Sequence, residues 1–67
     1  MTALDVFLEQ LEQMMAARND MWHETRYHNY REAEQIKLDR LDPARDRAKS
    51  ALRAVIAELS RQNSPVD

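Results

Sequence analysis

The sequence predicts an all-α fold: an antiparallel helical hairpin with a long first helix and a shorter second helix, dimerising into a helical bundle. Three observations predict it. Glycine is absent and proline occurs only at Pro43 and Pro65, while Ala, Leu, Glu, Gln, Lys, Arg and Met, the strong helix formers, fill most positions. Apolar residues recur at the 3.6-residue helical period. A chain of 67 residues without a cysteine buries only about 60% of the surface its unfolded form exposes. It also lacks disulfides and thiolate-metal sites, so a second copy is the economical source of further stability.

The first helix opens at "TALD". Thr2 is suited to cap the free backbone amides, and Asp5 stands at the third helical position as a short-armed capping box. At about 100° per residue, Leu4, Phe7, Leu8, Leu11, Met14, Met15, Trp22, Thr25, Ala33 and Ile36 stay on one stripe, with Arg18 and Asn29 as polar insertions. A break at "ARND", capped by Asn19 or Asp20, would reset that phase and give a three-helix bundle. The unbroken stripe instead predicts one helix over about 3–40.

The next punctuation is "LDPARD", where Asp42 is a good N-cap and Pro43 fits the first helical position. It predicts a turn at 40–42 and a second helix over about 43–61. Ala44, Ala48, Leu52, Val55 and Leu59 form the stripe of that helix, with Ala51 and Ile56 beside it. Residues 1–62 then form a single domain, and 63–67, polar and ending beyond Ser64-Pro65, are expected as a disordered tail.

At 1.5 Å per residue the two helices measure about 57 and 28 Å. Folding back at residue 41 would leave Leu4, Phe7, Leu8, Leu11, Met14 and Met15 without an intrachain partner. Burying each is worth about 1.5–3 kcal/mol, which assigns these six to a dimer interface. Charge supports antiparallel pairing. The first 25 residues set Asp5, Glu9, Glu12, Asp20 and Glu24 against Arg18 alone, whereas residues 26 to 53 are net basic.

Three of the four aromatic residues and both histidines lie in "MWHETRYHNYREAEQ", residues 21 to 35. In a continuous helix this region carries two stripes, Trp22, Thr25, Ala33 and Ile36 on one side and Tyr27, Tyr30, Leu38 and Leu41 on the other. Two faces mean two neighbours. Trp, Tyr and Arg dominate interface hot spots, so Trp22, Tyr27, Tyr30 and Arg31 are the candidate partner contacts, with Trp22 also a candidate for the dimer core. The Met14-Met15 pair adds an adaptable surface for a partner helix.

Catalytic and metal chemistry find little to build on. "HETRYH" places His23 and His28 five apart, not four apart on one face as zinc proteases require. Glu24, His28 and Glu32 would share a helical face as a weak half-site, but the Glu-x-x-His pairs of two-metal bundles are missing. With no cysteine and no glycine-rich turn, nucleophilic catalysis and phosphate cradling have no framework. The expectation is a non-enzyme with no cofactor and no bound metal. Arg40, Arg45, Arg47, Lys49 and Arg53 form a possible basic surface for nucleic acid, opposed by Asp39, Asp42, Asp46 and the overall acidity. Apolar runs are too short for a membrane span, and no basic flank precedes the apolar N-terminus, so a soluble cytoplasmic protein is expected.

In size and layout, with "WHETRYHNYREAEQIKLDRLDPARDRAKSALRAVIAEL" as the hairpin, the chain resembles the small all-helical hairpin proteins encoded by bacteriophages. Among these, the anti-activator proteins of Pseudomonas phages are dimeric and inhibit host regulators by binding them. The resemblance implies a homodimer that binds a host or regulatory protein. It rests on no specific motif and carries over no functional residue.

Overall fold

The computed structural model describes residues 2 to 62, which are helical nearly throughout and contain no strand. Helix α1 spans Ala3–Arg26, α2 spans Tyr30–Ile36, a π-helical turn covers Lys37–Leu41, and α3 spans Asp42–Gln62. The last three follow one another without a break, so the described chain is two helices, the second one bent. None is long and apolar enough to cross a membrane. The predicted tail, 63–67, lies outside the described residues.

The start of α1 is as its sequence requires. Thr2 Oγ1 accepts the Asp5 amide at 3.2 Å, and the Thr2 amide donates to Asp5 Oδ2 at 3.3 Å, a full capping box. The helix passes Asn19 and Asp20 unbroken, as expected.

Its end corrects the sequence reading. The chain turns at 27–29, not at 40–42, and the first helix stops at Arg26 instead of continuing to residue 40. The Tyr27 amide reaches back to the His23 carbonyl, the His28 amide to that of Thr25 and the Asn29 amide to that of Glu24. These last two bonds make a Schellman ending, which needs a left-handed residue and normally takes glycine. This chain has no glycine, so His28 adopts φ 62°. Asn29 Nδ2 also donates to Glu24 Oε2 at 2.9 Å, and the Ala33 amide bonds to the Asn29 carbonyl to start α2.

Pro43 likewise does not begin a helix. Ile36, Lys37 and Asp42 all hold right-handed helical angles, and the rod continues through them without a break. A proline inside a helix lacks an amide and crowds the carbonyl four residues back. The π turn just ahead of it, in which the Asp42 amide bonds to the Lys37 carbonyl five residues back, widens the backbone there. The wide turn also absorbs a phase error. The inward residues of the rod are Ala33, Ile36, Leu41, Ala44, Ala48, Ala51, Val55 and Glu58, all buried or half-buried. Their steps of three and four are interrupted by a single five, across the π turn.

On α1 the matching seam is Ala3, Phe7, Gln10, Met14, Ala17, Met21 and Glu24, again in alternating steps of four and three. The two seams face each other in opposite directions. Arg47 Nε donates to Gln10 Oε1 at 2.8 Å and Arg40 Nη1 to Asp20 Oδ2 at 2.6 Å. The fully buried positions are small: Ala17 is 0% exposed, and Ala33, Ala44, Ala48 and Ala51 join it. Gln10 is the single buried polar residue among those described, and its bond to Arg47 satisfies it.

The mismatch in helix length disappears with the turn at 27–29. Because α1 ends at Arg26, the second rod reaches its whole length, and the six residues assigned to a dimer interface divide. Phe7 and Met14 turn into the intrachain seam, while Leu4, Leu8, Leu11 and Met15 stand one residue away from it.

Candidate protein-binding flank

One residue on from a seam is about 100° around the helix. Because the two helices run oppositely, the same step on each leads to the same side of the pair. On α1 it gives Leu4, Leu8, Leu11, Met15, Arg18 and Trp22; on α3 it gives Arg45, Lys49, Leu52, Ile56 and Leu59. All are exposed except the half-buried Leu11. Trp22 and Met15 are each 65% exposed, and Leu8 is 49%.

One residue back leads to the opposite flank, and its chemistry is different. There lie the Arg40–Asp20 ion pair and the Arg47 guanidinium, which reaches Gln10 and, at 3.5 Å, Gln13. The pair therefore has a polar flank tied across by side chains and an apolar flank over which none of the described residues is laid. Large exposed apolar patches mark interaction sites, whereas scattered single residues do not.

The apolar flank has two halves. Near the start of α1, Leu4, Leu8 and Leu11 face the same way as Leu52, Ile56 and Leu59. Nearer the turn, Trp22 stands with the Arg18 guanidinium 5.4 Å from its ring centroid, a cation–π contact at i,i+4 spacing. A hollow of about 590 Å³ opens on one side of Trp22, lined with Asn19, Met21, His23, Thr25 and Arg26, and a smaller one of about 170 Å³ lies toward Met15 and Arg18.

The four candidate contacts are not brought together. Tyr27 and Tyr30 are exposed on and just after the turn, where Tyr27 meets the His23 ring at 5.0 Å and the Tyr30 hydroxyl lies 2.9 Å from His28 Nδ1. Arg31 is exposed at the start of α2. Trp22 has no ring contact with either tyrosine among the described residues, and it lies outside the core, its ring mostly in solvent. The two stripes drawn through residues 22 to 41 do not exist, because the turn at 27–29 separates their members. For the same reason Glu24, His28 and Glu32 share no helical face: Glu24 is held by Asn29 and His28 by Tyr30.

The basic set is split as well. Arg40 and Arg47 belong to the polar flank and are engaged by Asp20, Gln10 and Gln13. Arg45 lies 3.7 Å from Asp42 and 3.8 Å from Asp46. Arg47, Lys49 and Arg53 have no ion-pair partner among the described residues, and of these three only Arg47 is engaged, through Gln10 and Gln13. A phosphate-tracking stripe needs its cations on one face, and only three of the five, Arg45, Lys49 and Arg53, share one. Sequence reasoning missed Gln10 and Arg18. The Arg18–Trp22 spacing of four was the available signal, whereas Gln10–Arg47 depends on where the chain turns.

Comparison of the chain with protein-family models, curated proteins and solved structures finds no match. The functional reading therefore rests on the geometry of the flank.

Proposed function

We propose that the chain is a non-catalytic helical hairpin that self-associates and works by binding and modulating another protein. The observation that carries this reading is the inversion of its apolar side chains. Alanines hold the buried positions of the seam between the helices, while most of the leucines, Ile56, Met15 and Trp22 face out along one flank. Covering that surface is favoured in proportion to the apolar area removed from water.

The Trp22 end of the flank is the proposed target site. Trp and Arg dominate interface hot spots, methionine repacks to suit a partner helix, and hollows on both sides of the indole give a partner's side chains somewhere to enter. Inhibition of a bacterial host regulator, as the phage-protein layout implies, is the biological form of this proposal. The expected result is that tagged wild-type protein draws a defined protein from bacterial lysate, identified by mass spectrometry, and that Trp22→Ala loses it. Truncating a hot spot costs about 2 kcal/mol or more, enough to empty the pull-down. Retention by Trp22→Ala and loss by Tyr30→Ala would move the site to the turn.

A further inference from the structure

We infer that the leucine half of the apolar flank is covered by a second copy of this chain, whose twofold axis runs along the helices and sets α1 of each copy against α3 of the other. This deepens the self-association proposed above and rests on it. The bond between Gln10 and Arg47 fixes the levels: in opposed helices Leu4 stands level with Arg53, Asp5 with Leu52, Leu8 with Lys49 and Glu12 with Arg45. An axis parallel to the helices keeps every residue at its own level. It lays Leu4 and Leu8 on the partner's Leu52 and the partner's Ile56, and buries the matched set on the other side by symmetry.

An axis across the helices would set α1 on α1 and α3 on α3 with levels inverted. The apolar run of α1 extends from residue 4 to 22, but that of α3 begins at Leu52 and lies beside the start of α1 alone. Inversion about the middle of α1 would bury its leucines and leave Leu52, Ile56 and Leu59 opposite the partner's α2 or beyond its turn. Inversion about the α3 leucines would leave most of α1 uncovered. Only the axis along the helices buries both runs.

Charge selects the same arrangement. On the rim of the leucine half, α1 offers Asp5 and Glu12, and α3 offers Arg45, Lys49 and Arg53. Crossing α1 with the partner's α3 puts Glu12 level with the partner's Arg45 and a turn from the partner's Lys49, and Asp5 one residue's rise from the partner's Arg53 on the same rim. Lys49 and Arg53, which have no ion-pair partner among the described residues, thus acquire one. A stable interface takes about 800 Å² from each partner, roughly one seventh of the chain's 5523 Å². One flank over about half the length of the pair matches that requirement. Met15 and Trp22 lie beyond the leucines, level with the partner's Asp42 and the partner's Gln35, so the dimer contact and the proposed target site share one flank.

Because the chain has no cysteine, single-cysteine variants report the register directly. Leu8→Cys mixed with Lys49→Cys and oxidised should give a linked heterodimer, and Leu8→Cys alone should give none, since the two α1 helices lie diagonally apart. Rapid cross-linking of Leu8→Cys with itself, in a chain that sediments as a dimer, would overturn the arrangement while leaving self-association standing. Sedimentation as a monomer at high micromolar concentration would overturn the dimer itself, and the Trp22→Ala pull-down would still test target binding separately. Charge exchange gives a second readout. Glu12→Lys should weaken dimerisation several-fold and Lys49→Glu, added to it, should restore it; absence of restoration counts against the crossed pairing.

Discussion

His28 occupies a left-handed conformation that costs a residue with a Cβ about 1–2 kcal/mol and glycine nothing. Part of that difference is recovered because glycine loses more freedom on folding. His28→Gly should therefore stabilise the fold by about 0.5–1 kcal/mol in urea melts; a destabilised variant would mean that the exposed His28–Tyr30 contact holds the turn. This residue is also where the sequence was least legible. Histidine and asparagine are enriched among left-handed residues, but "YHN" carries neither of the usual turn residues, glycine or proline, and the helical phase of Trp22 to Ile36 ran on across it by coincidence. By contrast Thr2 and Asp5 were fully legible, because a capping box depends on four neighbouring residues and on nothing distant.

The π turn shows the same contrast between local and distant causes. Pro43 was visible as an obstacle to a regular helix, and the inference that it starts a new one was the ordinary reading of Asp-Pro. What overrode it was packing. The seam residues on both sides of Lys37–Leu41 face α1, and a five-residue step keeps them there. The expected consequence is that removing Asp39 in a Pro43→Ala background gives a regular helix with the same residues facing inward. Its stability should fall within about 1 kcal/mol of the Pro43→Ala parent, by circular dichroism and urea melts. Removing Arg53 instead rotates Val55 and Glu58 out of the seam and should cost more. Equal damage from the two deletions would refute the phase argument. The α3 stripe itself was partly legible. Ala44, Ala48 and Val55 face inward as read, whereas Leu52 and Leu59 belong to the flank, because a pattern of apolar residues does not distinguish one neighbour from two.

At the scale of the molecule, the chain is 60 Å long and 16 by 14 Å across, with a radius of gyration of 16.2 Å. A compact domain of this length has one of about 11 Å. A slim pair of helices has little interior, and the absence of any large fully buried side chain among the described residues follows from that shape. Self-association would then couple assembly to folding, and Tm should rise with protein concentration; a Tm independent of concentration over two decades would leave the pair stable by itself. All-helical class was legible from composition, and the apolar flank was legible as four of the six residues first assigned to an interface. The alanine seam has one more effect. Its buried teeth are small and alike and engage at more than one notch, so burial of the alanines alone is a weak brake on one helix slipping a turn along the other. The cross-ties at Gln10 and Asp20 act as the latch, and a molecule that lost both would be free to slide, carrying its leucines out of line with those of its twin.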